Sequence, residues 1–305
     1  KQIVKYAYKT GVQVGIILDV TKTKNLTLEK IEGYAFSADE TRILVYNNVE
    51  KRYRHSFSAD YYVYDTKRNR LELLSENGKQ KEAVFSPDGR MVAFSRNNNL
   101  FIKKLDFGTE VAVTVDGETD KIVNGTPDWL YEEEFSVTRL FAWSPDSKYL
   151  AYVKLDESEV GEFAWQEYRF SEKEQYPIKT SIKYPKAGTK NPLATLYAYD
   201  VYYKFSKKIP LPDEADGYLP RIEWTNNEES LGVFKLNRNQ NKLDVYFVNP
   251  KSTIAKRILT ETSDYYIDFR NLAAVRFLPD NKSFVFMSER DGYKHLYLYS
   301  LSGIL

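Results

Sequence analysis

An all-β fold is what this sequence predicts, on three observations. Aromatic residues are abundant, with 25 Tyr, 17 Phe and 4 Trp in 305 residues. Aromatic and β-branched side chains favour pleated, half-buried surfaces. One pattern then recurs five times: an aromatic residue, a turn of Ser, Pro, Asp or Asn, and an alternating apolar run. The aromatic anchors Phe36, Phe85, Trp143, Trp224 and Phe277 stand 49, 58, 81 and 53 residues apart. Repeats of about fifty residues are those of a β-propeller of four-stranded antiparallel blades.

The copies read "YAFSADETRILVYNN" (34–48), "AVFSPDGRMVAFSRN" (83–97), "FAWSPDSKYLAYVKL" (141–155), "IEWTNNEESLGVFKL" (222–236) and "VRFLPDNKSFVFMSE" (275–289). In each turn Pro presets φ, Asp or Asn bonds its own backbone, and Gly tolerates positive φ. Period-two alternation follows, as at Met91 and Ala93 or Tyr149, Ala151 and Val153, so each copy predicts a β-hairpin. Further strands are expected at "YYVYD" (61–65), "LFIKKLD" (100–106), "LDVYFV" (243–248) and "HLYLYSL" (295–301). The long spacing of 81 holds extra material, including "WQEYRF" (165–170) and "LYAYDVYYK" (196–204), and reads as a blade with an insertion.

Composition narrows the function. Lys and Arg number 44 against 43 Asp and Glu, a balance that gives no basic face for nucleic acid. There is no cysteine, which excludes disulfides, thiolate metal sites and a cysteine nucleophile. Only His55 and His295 are present, so a multi-histidine metal site is excluded too. The longest apolar runs, such as "VGII" (14–17), are far too short for a membrane span.

The stretch "DWLYEEEF" (128–135) places Asp128, Glu132, Glu133 and Glu134 within seven residues, beside Trp129 and Tyr131. Three chemistries fit. The first is a solvated helix start: Asp128 follows Pro127 and suits an N-cap, and glutamates in a first turn suit the helix dipole. The second is a glycosidase pair, which needs two acids about 5–10 Å apart across a sugar bond. Adjacent Glu133 and Glu134 come from one element and straddle a sugar poorly. The third is an ammonium site, in which two carboxylates on one turn converge on a group with three donors. Aromatic neighbours lower the local dielectric and strengthen that pairing.

"DWLYEEEF", followed by "AWSPDSKYLAYVKLDESEV" (142–160), resembles the propeller domain of the dipeptidyl peptidase IV family, in the prolyl oligopeptidase clan. "RYRHSFSADYYVYD" (52–65) and "YPKAGTKNP" (184–192) are similar to the same family in the same order, so the resemblance spans nearly the whole chain. The acidic motif is specific; the "FSPDG" turn is shared by many propellers. The resemblance implies an enzyme that releases X-Pro or X-Ala dipeptides from peptide N-termini, with its active site between an eight-bladed propeller and an α/β-hydrolase domain. It implies that Glu133 and Glu134 hold the substrate α-amine and that Arg54 bonds the carbonyl of the second residue. Arg52 is equally eligible by spacing, and only the motif favours Arg54. Phe269 and Arg270, in "YYIDFR" (265–270), align with the region beyond the scissile bond. His55 is assigned a local hydrogen bond.

Residues 1–305 are thus expected to form a propeller fragment with its first and final blades missing or incomplete and the C-terminal hydrolase domain absent. No G-x-S-x-G nucleophile elbow occurs, and two histidines in propeller strands build no Ser-Asp-His set. The expected role is substrate recognition and gating, with no catalytic residue, cofactor or metal in this chain. The rival is a non-catalytic propeller that binds a protein or ligand as a scaffold. Expected partners are peptides with a free N-terminus and the chain's own hydrolase domain. A homodimer of the full-length protein is implied by family members that pair through a propeller arm, for which 165–204 is the candidate. The lack of cysteine suits a bacterial member, periplasmic or otherwise in the cell envelope.

Overall fold

The computed structural model describes residues 1–168, 176–212, 217–268 and 275–305. The chain forms two compact units, Lys1–Val115 and Asp116–Leu305. In the first unit, β1 (Gln2–Tyr6) and β2 (Gln13–Asp19) make a hairpin. The short β3 (Lys24–Asn25) leads into a first blade of β4 (Gly33–Phe36), β5 (Arg42–Lys51), β6 (Phe57–Asp65) and β7 (Arg70–Leu73), where it pairs in parallel with β7. A second blade follows as β8 (Lys81–Phe85), β9 (Met91–Arg96), β10 (Asn99–Lys104) and β11 (Thr109–Ala112).

The second unit opens with β12 (Ile122–Asn124) and α1 (Trp129–Phe135). Its first blade contains β13 (Phe141–Trp143) and β14 (Tyr149–Asp156), then an inserted hairpin of β15 (Glu162–Glu167) and β16 (Ile178–Lys183), then β17 (Leu193–Asp200) and β18 (Phe205–Ile209). The next blade is β19 (Gly217–Trp224), β20 (Leu231–Asn237), β21 (Lys242–Val248) and β22 (Ala255–Thr262). The last sheet is β23 (Arg276–Phe277), β24 (Ser283–Ser288) and β25 (His295–Ser300). All five repeats therefore fold as antiparallel meanders, and each predicted aromatic anchor ends the strand that leads into its turn.

The recurrent turn is a side-chain clip. Ser37, Ser86 and Ser144 each donate Oγ–H to the aspartate two residues on, at 2.7, 2.6 and 2.7 Å. The same Oγ accepts the N–H five residues on, from Arg42, Met91 and Tyr149, at 3.0, 3.0 and 2.9 Å. The residue before the returning pair takes positive φ at Glu40, Gly89 and Ser147. Thr225 and Asn227 build the fourth turn, and in the fifth Asp280 accepts from the Lys282 N–H at 2.9 Å.

Two details depart from the alternation read in the sequence. Every residue of β9 is buried, because that strand is covered on both faces. In β5, Ile43 and Val45 join one hydrophobic cluster and Leu44 joins another. Leu193–Asp200 is not inserted material: it pairs with β14 along eight residues as the third strand of its own blade. The insertion is the β15–β16 hairpin alone. The alternating buried residues Ala194, Leu196 and Ala198 serve the core. Among the anchors, Phe36 remains 37% exposed, whereas Phe85, Trp143 and Trp224 are buried.

Trp224 locks two sheets together, its indole N–H donating to the Ala142 carbonyl of β13 at 3.0 Å. Trp224→Ala is expected to cost about 3–5 kcal/mol of stability. Trp224→Phe, which removes mainly the hydrogen bond, should cost about 1 kcal/mol. Urea denaturation of both variants checks this ordering.

Candidate functional site

The acidic helix arises from an interrupted edge strand. β12 pairs with Lys154–Asp156 of β14, and β13 pairs with Leu150–Tyr152 of the same strand. The two short strands therefore lie end to end along one edge of β14. Val153 closes the excursion between them: its carbonyl accepts from Gly125 N–H at 2.9 Å, and its own N–H donates to the Leu140 carbonyl at 2.9 Å. Leu140 N–H in turn donates to the Gly125 carbonyl at 2.8 Å, and Gly125 holds φ at 70°. Residues 126–139 are thereby extruded from a sheet that keeps its pairing on either side.

Asp128 caps the helix as the motif predicts. Its backbone is extended (φ −79°, ψ −174°), and its Oδ1 accepts the Tyr131 N–H at 3.0 Å. The helix ends at Ser136 in the left-handed region. Leu130, Tyr131 and Phe135 enter the main core of the unit. The Tyr131 hydroxyl accepts the Leu219 N–H at 3.0 Å, and its ring packs edge-on against Phe135. Phe135 packs edge-on against Tyr218 at 5.1 Å. Burial pushes the Tyr131 phenol well above its ordinary range.

The four acids divide. Asp128 and Glu132 are 3% and 0% exposed, so they are structural groups of the core rather than a solvated turn. Glu133 is half-buried and Glu134 exposed. These two adjacent carboxylates are the pair that α1 leaves accessible. On a helix, consecutive residues point about 100° apart, so the pair can approach one small cation from two directions. The neighbouring ring of Trp129 packs tilted by 32° on Tyr184, which follows β16, with centroids 4.2 Å apart.

Arg54 lies exposed in the loop 52–56 between β5 and β6, in the first unit, with His55 beside it. The Arg52 guanidinium lies 5.1 Å from the Tyr53 ring centroid, and its backbone N–H donates to the Ser56 carbonyl at 3.0 Å. Phe269 and Arg270 lie outside the described residues. The structure thus brings Glu133 and Glu134 together on one helix and places Arg54 in the other unit.

Sequence reasoning missed the Trp129–Tyr184 contact, since nothing in "YPKAGTKNP" announces an aromatic partner 55 positions earlier. It also missed Arg290, which donates to Glu261 at 2.7 Å, to Ser288 at 3.0 Å and to the Tyr299 hydroxyl at 2.5 Å. Arg290 borders a cavity of about 790 Å³ that Tyr265, Tyr266 and Lys294 also line. "SERDGY" (288–293) carries no pattern by which this network could be found. Among the described residues no three His, Asp or Glu side chains come together to hold a metal ion, and no helix is long and apolar enough to cross a membrane.

Burial pushes the Asp128 carboxyl up from 3.8 to about 6, against the backbone hydrogen bonds from Tyr131 and Leu130, which favour its ionised form. Because the folded value is the higher one, the folded state binds more protons between those two pH values. Its stability therefore falls as pH rises from about 4 through about 6. The difference is worth about 3 kcal/mol. Asp128→Asn keeps an acceptor for Tyr131 N–H and carries no charge. Urea midpoints of the two proteins should therefore diverge in favour of the variant between pH 4 and pH 7.

Residues 37–304 match the family described as the dipeptidyl peptidase IV N-terminal region. A probable dipeptidyl peptidase 4 of Aspergillus flavus is 33% identical over 89% of this chain, which covers 36% of that protein. Dipeptidyl aminopeptidase B of Saccharomyces cerevisiae is 34% identical over 90% of this chain, covering 34% of its own length. The chain thus spans about a third of the curated relatives it matches. The crystal structure of Porphyromonas gingivalis dipeptidyl peptidase 4 superposes with a TM-score of 0.95 at 43% identity, over 100% of this chain and 43% of that one. A putative dipeptidyl aminopeptidase IV of Bacteroides ovatus shares the fold, with a TM-score of 0.75 at 23% identity. On the match over residues 37–304, and with an all-β propeller fold common to both, the chain belongs to the dipeptidyl peptidase IV family and carries its N-terminal region.

Proposed function

We propose that this chain is the substrate-recognition and gating portion of a dipeptidyl peptidase, and that Glu133 and Glu134 hold the α-ammonium of the substrate. One observation carries the reading: α1 buries two of its four neighbouring acids and leaves two adjacent ones accessible, on a helix fixed to the core by Tyr131 and Phe135. A cap and a dipole complement need only Asp128 and Glu132.

The chemistry follows from charge and length. A primary ammonium presents three donors and a carboxylate only acceptors, so two carboxylates satisfy it with charge-assisted hydrogen bonds. Two extended residues span roughly 7 Å. A clamp at that distance from the nucleophile admits cleavage after the second residue and refuses longer N-terminal extensions. Arg54 is assigned to the carbonyl of the second residue, for which a guanidinium fork is better shaped than an ammonium. Phe269 and Arg270 are assigned to the region beyond the scissile bond.

Bond cleavage is assigned to an α/β-hydrolase domain of the full-length protein. His295 does bear a carboxylate partner, Asp291 Oδ2 at 3.2 Å from Nδ1, but both side chains are exposed on the last sheet and no nucleophile-elbow motif accompanies them. The partners proposed are peptides with a free N-terminus, the hydrolase domain and a second copy of the full-length protein. The location proposed is the bacterial periplasm or cell envelope.

In the full-length protein, Glu134→Gln and Glu133→Gln should each lower turnover of a Gly-Pro chromogenic substrate, with the circular dichroism spectrum unchanged. Breaking a buried charge pair typically costs ~2–5 kcal/mol, which corresponds to a loss of about thirty- to several-thousand-fold. Turnover indifferent to both substitutions would instead make the acidic turn a cap and the chain a binding scaffold.

A further inference from the structure

The acidic helix is held from two directions, and only one of them is the core. Tyr131 and Phe135 fix its inner side. The other support comes from the inserted hairpin. Tyr184 is the first residue after β16, and its N–H donates to the Gly161 carbonyl at 2.8 Å, immediately before β15. It therefore stands at the root of the hairpin. That root is firm: Val160 is buried, and its carbonyl accepts from Lys183 Nζ at 3.0 Å.

From this root the Tyr184 ring reaches both ways. Its centroid lies 4.2 Å from that of Trp129 and 5.7 Å from that of Phe163, which in turn lies 6.2 Å from Trp165. Four rings thus run from the first residue of α1 to the exposed face of the hairpin. Trp129 and Glu133 are four residues apart, so they share one stripe of the helix. The ring that the hairpin grips lies on the stripe that carries Glu133.

We propose that Tyr184 is a positioning residue for the amine clamp, through which the inserted hairpin sets the placement of Glu133 by way of Trp129. This rests on the assignment of Glu133 and Glu134 to the substrate amine. Tyr184 is half-buried and belongs to the hairpin, so its removal leaves the Tyr131 anchor intact.

The test compares two substrates in the full-length protein: Gly-Pro p-nitroanilide, and the same compound with hydrogen in place of the amine. Tyr184→Ala should raise KM for the free-amine substrate about two- to tenfold, the range of one aromatic pair, with a smaller effect on kcat. The ratio of kcat/KM between the two substrates should fall by the same factor. Tyr184→Phe, which keeps the ring, should behave as the parent. Tyr184→Leu, which keeps bulk without the ring, should reproduce the loss if the alanine variant does not fold. Equal loss with both substrates, or no loss with either, overturns the inference when Glu134→Gln abolishes the amine preference alongside. A Glu134→Gln protein that keeps its amine preference overturns the clamp itself, and this inference with it.

Discussion

A hydrogen bond from the Leu219 N–H to the buried hydroxyl of Tyr131 fixes the inner side of the acidic helix. A helix of seven residues is too short to persist in water by itself. It exists here because Leu130, Tyr131 and Phe135 bury one side of it. Burying a phenol hydroxyl without a partner would offset much of what the burial of its ring contributes. The partner is available because β19 slips register between Tyr218 and Arg221, around Pro220, which cannot donate to a ladder. A proline that disrupts one strand thus turns a backbone donor towards the helix of the neighbouring element.

That anchoring divides identical chemistry into different roles. Asp128 and Glu132 sit on the core side and are desolvated; Glu133 and Glu134 sit away from it. The division follows the side of the helix that Leu130, Tyr131 and Phe135 together bury. At Asp128, burial opposes ionisation while the cap bonds favour it. The dense charge is therefore tolerable because two of the four carboxylates remain in contact with solvent.

The sheet behind the helix tolerates the excursion for a related reason. Val153 bonds both ends of residues 125–140, so β14 loses no pairing where its edge strand is broken. With its pairing kept on both sides of the break, β14 forms a frame that loops can leave without exposing backbone. The inserted hairpin uses the same frame, departing after β14 and returning before β17.

Local chemistry was legible in the chain itself. The Ser-x-Asp turns, the hairpins that follow them and the Asp128 cap all depend on residues within five positions of one another, so the sequence by itself determined them. It also determined that the chain belongs among β-propellers, since a repeat period survives whatever packs against it. What it did not determine are contacts between residues far apart in sequence. Only tertiary structure decided that β9 is buried on both faces, that Leu193–Asp200 belongs to a blade and not to an insertion, and that Glu132 is core while Glu134 is surface. The last of these could not be read from "EEE", because three equal side chains carry no sign of which one faces the core. The placement of Tyr131 against Leu219, and of Trp129 against Tyr184, supplies that direction.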